Sequence, residues 1–393
     1  MAYPGKFFSV VLLSLTLFLV SCSDGSDNRR DMVEPDPPMP DFAAADAWLE
    51  AFVAAHENYP GGSMIVVDKT QGVIHKSAFG NQDEETVALV ASLSKMPAVT
   101  LLMALHEDDA NVEFDIQAPI NSYLPWVGVW DSDITTEHLL SHRSGLPGEG
   151  YPLYTPIEDY LPHICQALPE GTLLACAETI FITPLPNLIS LPADIFARYG
   201  GSQWQLSGGV AETVGGANWQ HLWDQYIATP CELEQSRFGN NYSIATDWDG
   251  NTDSLVGLEN PWIGGGMATT LDDYAKLLSL HLNGGACGDH QVLSPESVAF
   301  MKEQRTPAGK VGGSWPYWGY GMGWWVVPPE EGEDIYLYLN GGLYGSSAWI
   351  DVERQYGGVV IFEDYSGNAP DPGVTSVVWE LIPIIEDAID AVR

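Results

Sequence analysis

Apolar and polar positions alternate in two different ways along the chain, and the difference predicts where helices and strands lie. Residues 41–56 (DFAAADAWLEAFVAAH) place apolar side chains at helical spacing, which predicts an amphipathic helix. Residues 62–79 hold two short β-branched runs around the turn residues KTQG, which predicts a β-hairpin. Residues 98–106 predict a second helix, in which Pro97 is tolerated only within the first turn.

The remaining two thirds of the chain change pattern once more. Residues 107–285 are rich in loops with interspersed helical segments, whereas short strand-like runs separated by turn residues follow, and an apolar helix is predicted at the end. The predicted strands cover residues 320–327, 334–339, 346–352 and 357–363, and the last helix covers residues 374–392. Strands at both ends of a helical middle predict one sheet built from both termini with a helical region inserted.

The first residues have the pattern of a targeting signal. Lys6 precedes an apolar run over residues 7–20, which is too short to cross a bilayer comfortably and suits a signal peptide. The run ends in LVSC, which resembles the bacterial lipobox, so we expect residues 1–22 to be a lipoprotein signal peptide and Cys22 to be the lipidated residue. An ordinary signal peptide that happens to contain a cysteine is the alternative.

Residues 23–41 are rich in Ser, Asp and Pro, and we expect a flexible tether there. Residues 42–393 then form one domain, with the helical insertion at about 107–285. This organisation predicts an exported protein, lipid-anchored to a bacterial membrane on the periplasmic side or at the cell surface.

The charge of the chain excludes some partners. Fifty-three acidic residues against fifteen basic ones give a formal net charge of −38. Such a surface disfavours nucleic acid and electrostatic docking to anionic lipid, so the only membrane contact we expect is the lipid anchor.

Four cysteines remain when Cys22 is set aside, and an exported protein can pair them in three ways. We favour Cys165–Cys176, which closes a short loop, and Cys231–Cys287 then follows by elimination. Four free buried thiols are the alternative.

The residues with the clearest chemistry are Ser92-Leu93-Ser94-Lys95. Residues three apart share a helix face, so the Lys95 amine can lie beside the Ser92 hydroxyl. A serine hydroxyl needs an adjacent base to become a nucleophile, and a desolvated lysine can supply one. A helix start with an exposed lysine is the plainer interpretation of these four residues alone.

Three later segments, taken with this one, give a specific pattern. They are HLLSHRSGLP at residues 138–147, GGGMATTLDDY at 264–274 and YGMGW at 320–324. The segments, in this order, resemble the class C β-lactamase and penicillin-binding-protein-like serine hydrolases, a family that includes D-alanyl peptidases and family VIII carboxylesterases. The resemblance covers nearly the whole domain and implies an α/β (α+β) β-lactamase/transpeptidase-like fold, an antiparallel sheet flanked by helices with an inserted helical subdomain.

The resemblance assigns roles to residues. Ser92 is the expected nucleophile, and Lys95 with Tyr199 is expected to move its proton, Tyr199 standing at the tyrosine of the family's Y-x-N motif. Gly201 stands where the family usually has Asn, so a substrate-orienting amide is missing there. A buried aromatic with no catalytic role is the alternative for Tyr199.

The family's third motif corresponds to Asn340-Gly341-Gly342. By position, Leu343 supplies one oxyanion-hole N–H and Ser92 the other, and Asn340 and Gly342 line the substrate site. Asn340 is neutral and cannot pair with a substrate carboxylate as Lys would, which favours neutral esters or amides over β-lactams and peptidyl-D-alanine.

The sequence thus predicts a serine hydrolase that acts through an acyl-enzyme, most consistent with a carboxylesterase acting on a small neutral substrate. A β-lactamase or D-alanyl peptidase, with a cell-wall peptide as substrate, is one alternative, and a weak or inactive peptidoglycan-binding relative is another. No metal or organic cofactor is required. His138 and His142, four residues apart, could chelate a metal, but helix packing and capping explain them better.

Overall fold

The computed structural model of the protein describes residues 38–147, 161–185, 192–306, 318–328, 337–365 and 374–393. The predicted signal peptide, Cys22 and the tether up to residue 37 lie outside these residues. The same is true of residues 148–160 and 186–191 in the helical insertion. Residues 39–393 form one compact unit.

The elements follow the predicted order. The α-helices are α1 Ala43–Ala55, α2 Lys95–Glu107, α3 Thr136–Leu140, α4 Leu173–Ile182, α5 Ser202–Gly215, α6 Trp219–Trp223, α7 Leu271–Leu282, α8 Pro295–Lys302 and α9 Val374–Asp390. The strands are β1 Gly61–Asp68, β2 Gly72–Gly80, β3 Ala88–Leu89, β4 Arg237–Phe238, β5 Met267–Thr269, β6 Ala286–Cys287, β7 His290–Gln291, β8 Gly319–Tyr320, β9 Trp325–Val327, β10 Leu337–Gly341, β11 Ser347–Asp351 and β12 Tyr356–Phe362. Short 3₁₀ segments cover Ala91–Ser94, Ile120–Ser122, Leu161–Ala167, Tyr242–Asp247 and Thr252–Ser254, and one π-helical turn covers Asp224–Ala228.

The main sheet joins the two ends of the domain, as the sequence predicts. Its strand order over the described residues is β2-β1-β12-β11-β10-β9-β8, and its paired strands are antiparallel. β1 from the start of the domain pairs with β12 from its end, with Gly62 opposite Phe362. The predicted fold class is therefore confirmed.

Both faces of this sheet are covered. Every residue of β1 is buried, because alternate side chains point to opposite faces and each face has its own core. Ile65 and Val67 belong to the core shared with α2, α5 and α7, while Met64 and Val66 belong to the core beneath α1 and α9. The predicted nucleophile lies on the 3₁₀ turn that leads into α2, a helix packed on the first core.

A second, small sheet holds the entrance to that helix. Its strand order is β3-β5-β4, and β5 lies in the glycine-rich segment singled out by the sequence. Beyond β3, the Val90 N–H donates to the Met267 carbonyl at 3.0 Å. None of the helices in the described ranges is both long and apolar enough to span a membrane.

Two disulfides tie down the helical region, and they join the cysteines that the sequence favours. Cys165 and Cys176 have Cα atoms 5.6 Å apart, and those of Cys231 and Cys287 are 5.0 Å apart. The second disulfide links the end of the helical region to β6 across 56 positions, whereas the first spans only 11.

The loop lengths predict unequal losses of stability. Replacing Cys231 and Cys287 together by Ala should lower the free energy of unfolding by about 4 kcal/mol, against about 3 kcal/mol for Cys165 and Cys176, because a longer closed loop restricts the unfolded chain more. Urea unfolding of the two double variants measures the difference. Equal losses, or a larger loss for the shorter loop, would contradict this explanation.

Candidate active site

The predicted nucleophile sits on a 3₁₀ turn that leads directly into α2. Ala91–Ser94 form the turn and Lys95 is the first residue of the helix, so the Lys95 side chain folds back over Ser92. Lys95 Nζ lies 2.8 Å from Ser92 Oγ. Ser92 is partly exposed, whereas Lys95 is only 1% exposed, so a buried amine contacts a hydroxyl that solvent can reach.

The amine has further neighbours that are distant in sequence. Lys95 Nζ donates to the Gly264 carbonyl at 2.7 Å. The ring centroids of Tyr199 and Trp204 lie 4.7 Å and 5.5 Å from Nζ. Carbonyl oxygens and aromatic faces both stabilise an ammonium that has lost most of its water. The structure thus brings Ser92, Lys95 and Tyr199 together as the sequence analysis expects.

The backbone before the nucleophile is strained. Ala91 has a φ of +44°, in the left-handed region that residues with a Cβ seldom occupy. The buried Ser94 side chain holds it there, since its hydroxyl donates to the Ala91 carbonyl at 2.6 Å and accepts the Met267 N–H at 2.9 Å. Strain of this kind persists where surrounding contacts fix it, and here it fixes the direction of Ser92.

The Leu93 carbonyl is a second anchor of the same turn. Tyr274 donates its hydroxyl to this oxygen at 3.1 Å, and Asn340 Nδ2 lies 3.4 Å from it. Burial raises the pKa of Tyr274, so its hydroxyl stays a donor. Asn340 is 2% exposed, which places its amide against the nucleophile turn. The predicted contact between Asn340 and substrate stays a prediction.

The turn after β10 approaches the nucleophile through its backbone. The Gly342 N–H donates to the Ser346 carbonyl at 2.7 Å and is therefore engaged within the turn. A Cβ at position 342 would lie 2.3 Å from the Val90 carbonyl oxygen, so only glycine allows this approach. Leu343 follows with its side chain 38% exposed. The predicted role of its N–H as an oxyanion donor stays a prediction.

His142, in the segment at 138–147, packs against Tyr199. The two ring centroids are 4.4 Å apart, and Tyr320 lies 4.8 Å from the imidazole. His142 is fully buried, and this burial, with the nearby Lys95 charge, holds its pKa well below the ordinary histidine value. Gln203 Nε2 lies 2.6 Å from His142 Nδ1.

His138 acts as a helix cap. Its Nδ1 accepts the Thr135 N–H at 3.2 Å, and Thr135 Oγ1 accepts the His138 N–H at 3.1 Å. In the part of the chain that the structure describes, no cluster of three or more His, Cys, Asp or Glu side chains is placed to hold a metal ion.

The place of the family's Asn is filled by another amide. A Cβ at Gly201 would lie 2.1 Å from Gln166 Oε1, so the Gln166 side chain occupies the space that a side chain at 201 would take. Gln166 Nε2 donates to the His163 carbonyl at 3.1 Å and to Ser202 Oγ at 3.2 Å, and Gln166 follows the disulfide-bonded Cys165. The sequence analysis missed this replacement because no motif marks Gln166.

The sequence analysis also missed two other groups that contribute to the site. The Gly264 carbonyl lies in a segment recognised as a landmark, but a backbone acceptor has no side-chain signature. His142 lies in another landmark, yet its contact with Tyr199 depends on a left-handed backbone at φ +62°.

Comparisons with known proteins agree with this geometry. The family model described as Beta-lactamase matches residues 45–381. A candidate beta-lactamase from Bacteroides dorei DSM 17855 superposes with a TM-score of 0.69 and 24% identity, covering 89% of this chain and 99% of that one. A search of curated proteins gives no significant match.

Two further solved structures are similar in fold. EstCE1, described as a hydrolase with promiscuous acyltransferase activity, gives a TM-score of 0.67 at 19% identity over 88% of this chain and 98% of that chain. The D-amino acid amidase of Ochrobactrum anthropi SV3 gives a TM-score of 0.63 at 18% identity over 87% and 98%. Since the family model covers most of the chain, the predicted resemblance is confirmed, and the protein belongs to the beta-lactamase family.

Proposed function

We propose that the protein is a serine hydrolase in which Ser92 attacks an ester or amide carbonyl. The Ser92 proton passes to the Lys95–Tyr199 pair as Oγ bonds to the carbonyl carbon, and the pair then gives that proton to the leaving group. Water releases the acyl group from Ser92 by the reverse transfers.

One observation carries the proposal. The amine of Lys95, buried away from water, lies 2.8 Å from the hydroxyl of Ser92, which is itself accessible. Tyr199 lies beside this amine, so the pair is placed to take up and pass on the Ser92 proton, as activation of a serine requires.

The developing oxyanion is stabilised by backbone donors. Ser92 lies at the start of a helix and Leu343 lies on the turn that Gly342 brings against Val90. Each such donor can lower the barrier by about 3 kcal/mol, because it is already oriented before charge develops.

We favour a carboxylesterase-type activity on a small neutral substrate. Asn340 stands at the motif position where a Lys would recognise a carboxylate, but it is neutral and its amide faces the Leu93 carbonyl. The exposed Leu343 side chain adds apolar surface at the turn that follows. The family match and the Bacteroides dorei neighbour support a β-lactam-hydrolysing alternative, which the substrate panel below distinguishes.

We also propose that the protein is exported and lipid-anchored at Cys22. Two disulfides in one domain support this proposal, since such bonds form and persist in oxidising compartments.

Replacing Ser92 by Ala should reduce hydrolysis of a short-chain p-nitrophenyl ester at least about 1,000-fold, because the nucleophile is lost while the surrounding contacts remain. Initial rates for the wild type and the variant, with nitrocefin measured in parallel, test both the mechanism and the substrate class. Dominant nitrocefin cleavage by the wild type would favour the β-lactamase alternative. Ser92-independent turnover would contradict the mechanism itself.

The pH dependence of kcat/KM should report the protonation state of the Lys95–Tyr199 pair. The pair accepts the Ser92 proton only after it has lost one of its own, so kcat/KM should rise with pH through one transition on the alkaline side of neutrality. Steady-state rates from about pH 5 to about pH 10 measure this transition. A flat profile would contradict the assigned base.

Replacing Gly342 by Ala should lower kcat about 10- to 100-fold, because a Cβ meeting the Val90 carbonyl pushes the oxyanion turn away from Ser92. Gly358→Ala is the matched control, since its Cβ would press on the Trp349 ring, 2.4 Å away, in another part of the sheet. Both variants should lose stability, but only Gly342→Ala should lose kcat beyond what its folded fraction explains. Equal kcat values would exclude the backbone role of this turn.

A further inference from the structure

His142 is a buried polar side chain that the proposed mechanism leaves without a role. It contacts Tyr199 directly, and its Nε2 is buried with no hydrogen-bond partner within the described part of the chain. A buried donor or acceptor left unpaired destabilises a fold, so such an atom beside a reactive group needs an explanation.

The hydrogen bonds of Gln203 determine which imidazole nitrogen carries the proton. Gln203 Nε2 lies 2.7 Å from the Arg198 carbonyl, an atom that can only accept, so Nε2 is the amide nitrogen. Gln203 Oε1 accepts the Ser144 hydroxyl at 2.8 Å. The other amide hydrogen faces the Gly200 carbonyl at 3.4 Å and His142 Nδ1 at 2.6 Å, and the much nearer Nδ1 accepts it. The proton of the neutral imidazole therefore sits on Nε2.

The same contacts keep the imidazole neutral. A proton on Nδ1 would face the Gln203 N–H, donor against donor. Among the described residues, the groups that these contacts place around the ring are Tyr199, Trp204 on α5, Tyr320 on β8 and the Lys95 charge on α2, and none of them is a carboxylate. His142 thus presents an uncharged N–H donor to its surroundings.

We propose that His142 is a positioning residue of the active site. Its neutral imidazole packs on Tyr199. Its Nε2–H stabilises the negative charge that Tyr199 carries when the Lys95–Tyr199 pair is ready to accept the Ser92 proton. Nε2 makes no hydrogen bond to a described residue in the resting site, so its N–H acts on the Tyr199 charge as a dipole on a ring packed beside the phenol, with 4.4 Å between the ring centroids. The backbone agrees with this role, since the left-handed conformation at residue 142 directs the ring toward Tyr199.

The inference rests on the proposed function and is tested by two matched variants. Asn tolerates a positive φ, and its side-chain oxygen can accept from Gln203 as Nδ1 does, but it has no donor at the Nε2 position. Gln places an amide N–H near the Nε2 position. His142→Asn should move the midpoint of the pH profile of kcat/KM upward by about one pH unit, a loss of about 10-fold near pH 7 that disappears at high pH. His142→Gln should recover most of the shift.

His281→Asn is the control for burial alone. His281 is also fully buried in the core and carries an unpaired ring nitrogen, Nδ1, within the described residues, but it pairs with Thr100 at 3.1 Å and packs on Trp324, away from Tyr199. Its replacement should lower the melting temperature and leave the midpoint unchanged. A uniform loss across all pH values in His142→Asn, or equal midpoints for the Asn and Gln variants, would overturn the inference and leave a packing role.

A measurement on the wild type makes the test independent of variant folding. In protein labelled with ¹⁵N histidine, the His142 nitrogen shifts near pH 7 should be those of a neutral ring protonated at Nε2. An imidazolium, or a proton on Nδ1, would overturn the inference. Ser92→Ala separates the two proposals. Activity that persists in this variant would refute the hydrolase mechanism. Ser92-dependent activity with an unshifted pH profile in His142→Asn would refute only the role of His142.

Discussion

The buried amine of Lys95 is the constraint on which the site depends. An ammonium or amine without water must find oxygen acceptors, and in this fold it finds one in the Ser92 hydroxyl and one in the Gly264 carbonyl. These two acceptors lie on different parts of the chain. The nucleophile turn, the glycine-rich segment and the Tyr199 segment therefore converge on one nitrogen atom.

The rest of the site is built to keep the turn before that amine rigid. Ser94 holds the strained Ala91, while Tyr274 and Asn340 hold the Leu93 carbonyl. Ser94 and Leu93 thus connect the turn to other parts of the chain. Each landmark segment of the sequence contributes one contact to this site. Gly264 accepts from Lys95, Tyr274 binds the turn, and His142 packs on Tyr199.

Local spacing and segment order were enough to predict much of this molecule. The contact between Ser92 and Lys95 follows from a separation of three residues, and the strands at both ends predicted the terminal pairing of the sheet. The orientation of Asn340 could not be predicted in the same way. It depends on which face of β10 the residue occupies, and the pairing of β10 with β11 and β9 determines that face. The pattern predicted a strand from residue 334. Residue 334 itself lies outside the described ranges.

The contacts that sequence reasoning missed are of two physical kinds. The Gly264 carbonyl is a backbone group, so no residue type announces it. The Gln166 side chain fills the space at Gly201 from a segment held by a disulfide, and only a three-dimensional fold brings those positions together. The left-handed conformation of His142 also depends on the three-dimensional fold, because histidine seldom adopts it without tertiary support.

The pairing of β1 with β12 has a consequence for how the protein is made. Ser92 is synthesised early, but the turn carrying Leu343 and the strand that closes the sheet are synthesised near the end. A chain still emerging from the ribosome already has Ser92 and Lys95 but lacks the turn and the strands that pack against them. Contacts of such long range also form slowly, since the intervening chain must be ordered first. The surroundings of Ser92 are therefore completed only in the finished molecule, and a chain cut short before residue 343 would lack the Leu343 N–H of the proposed oxyanion hole.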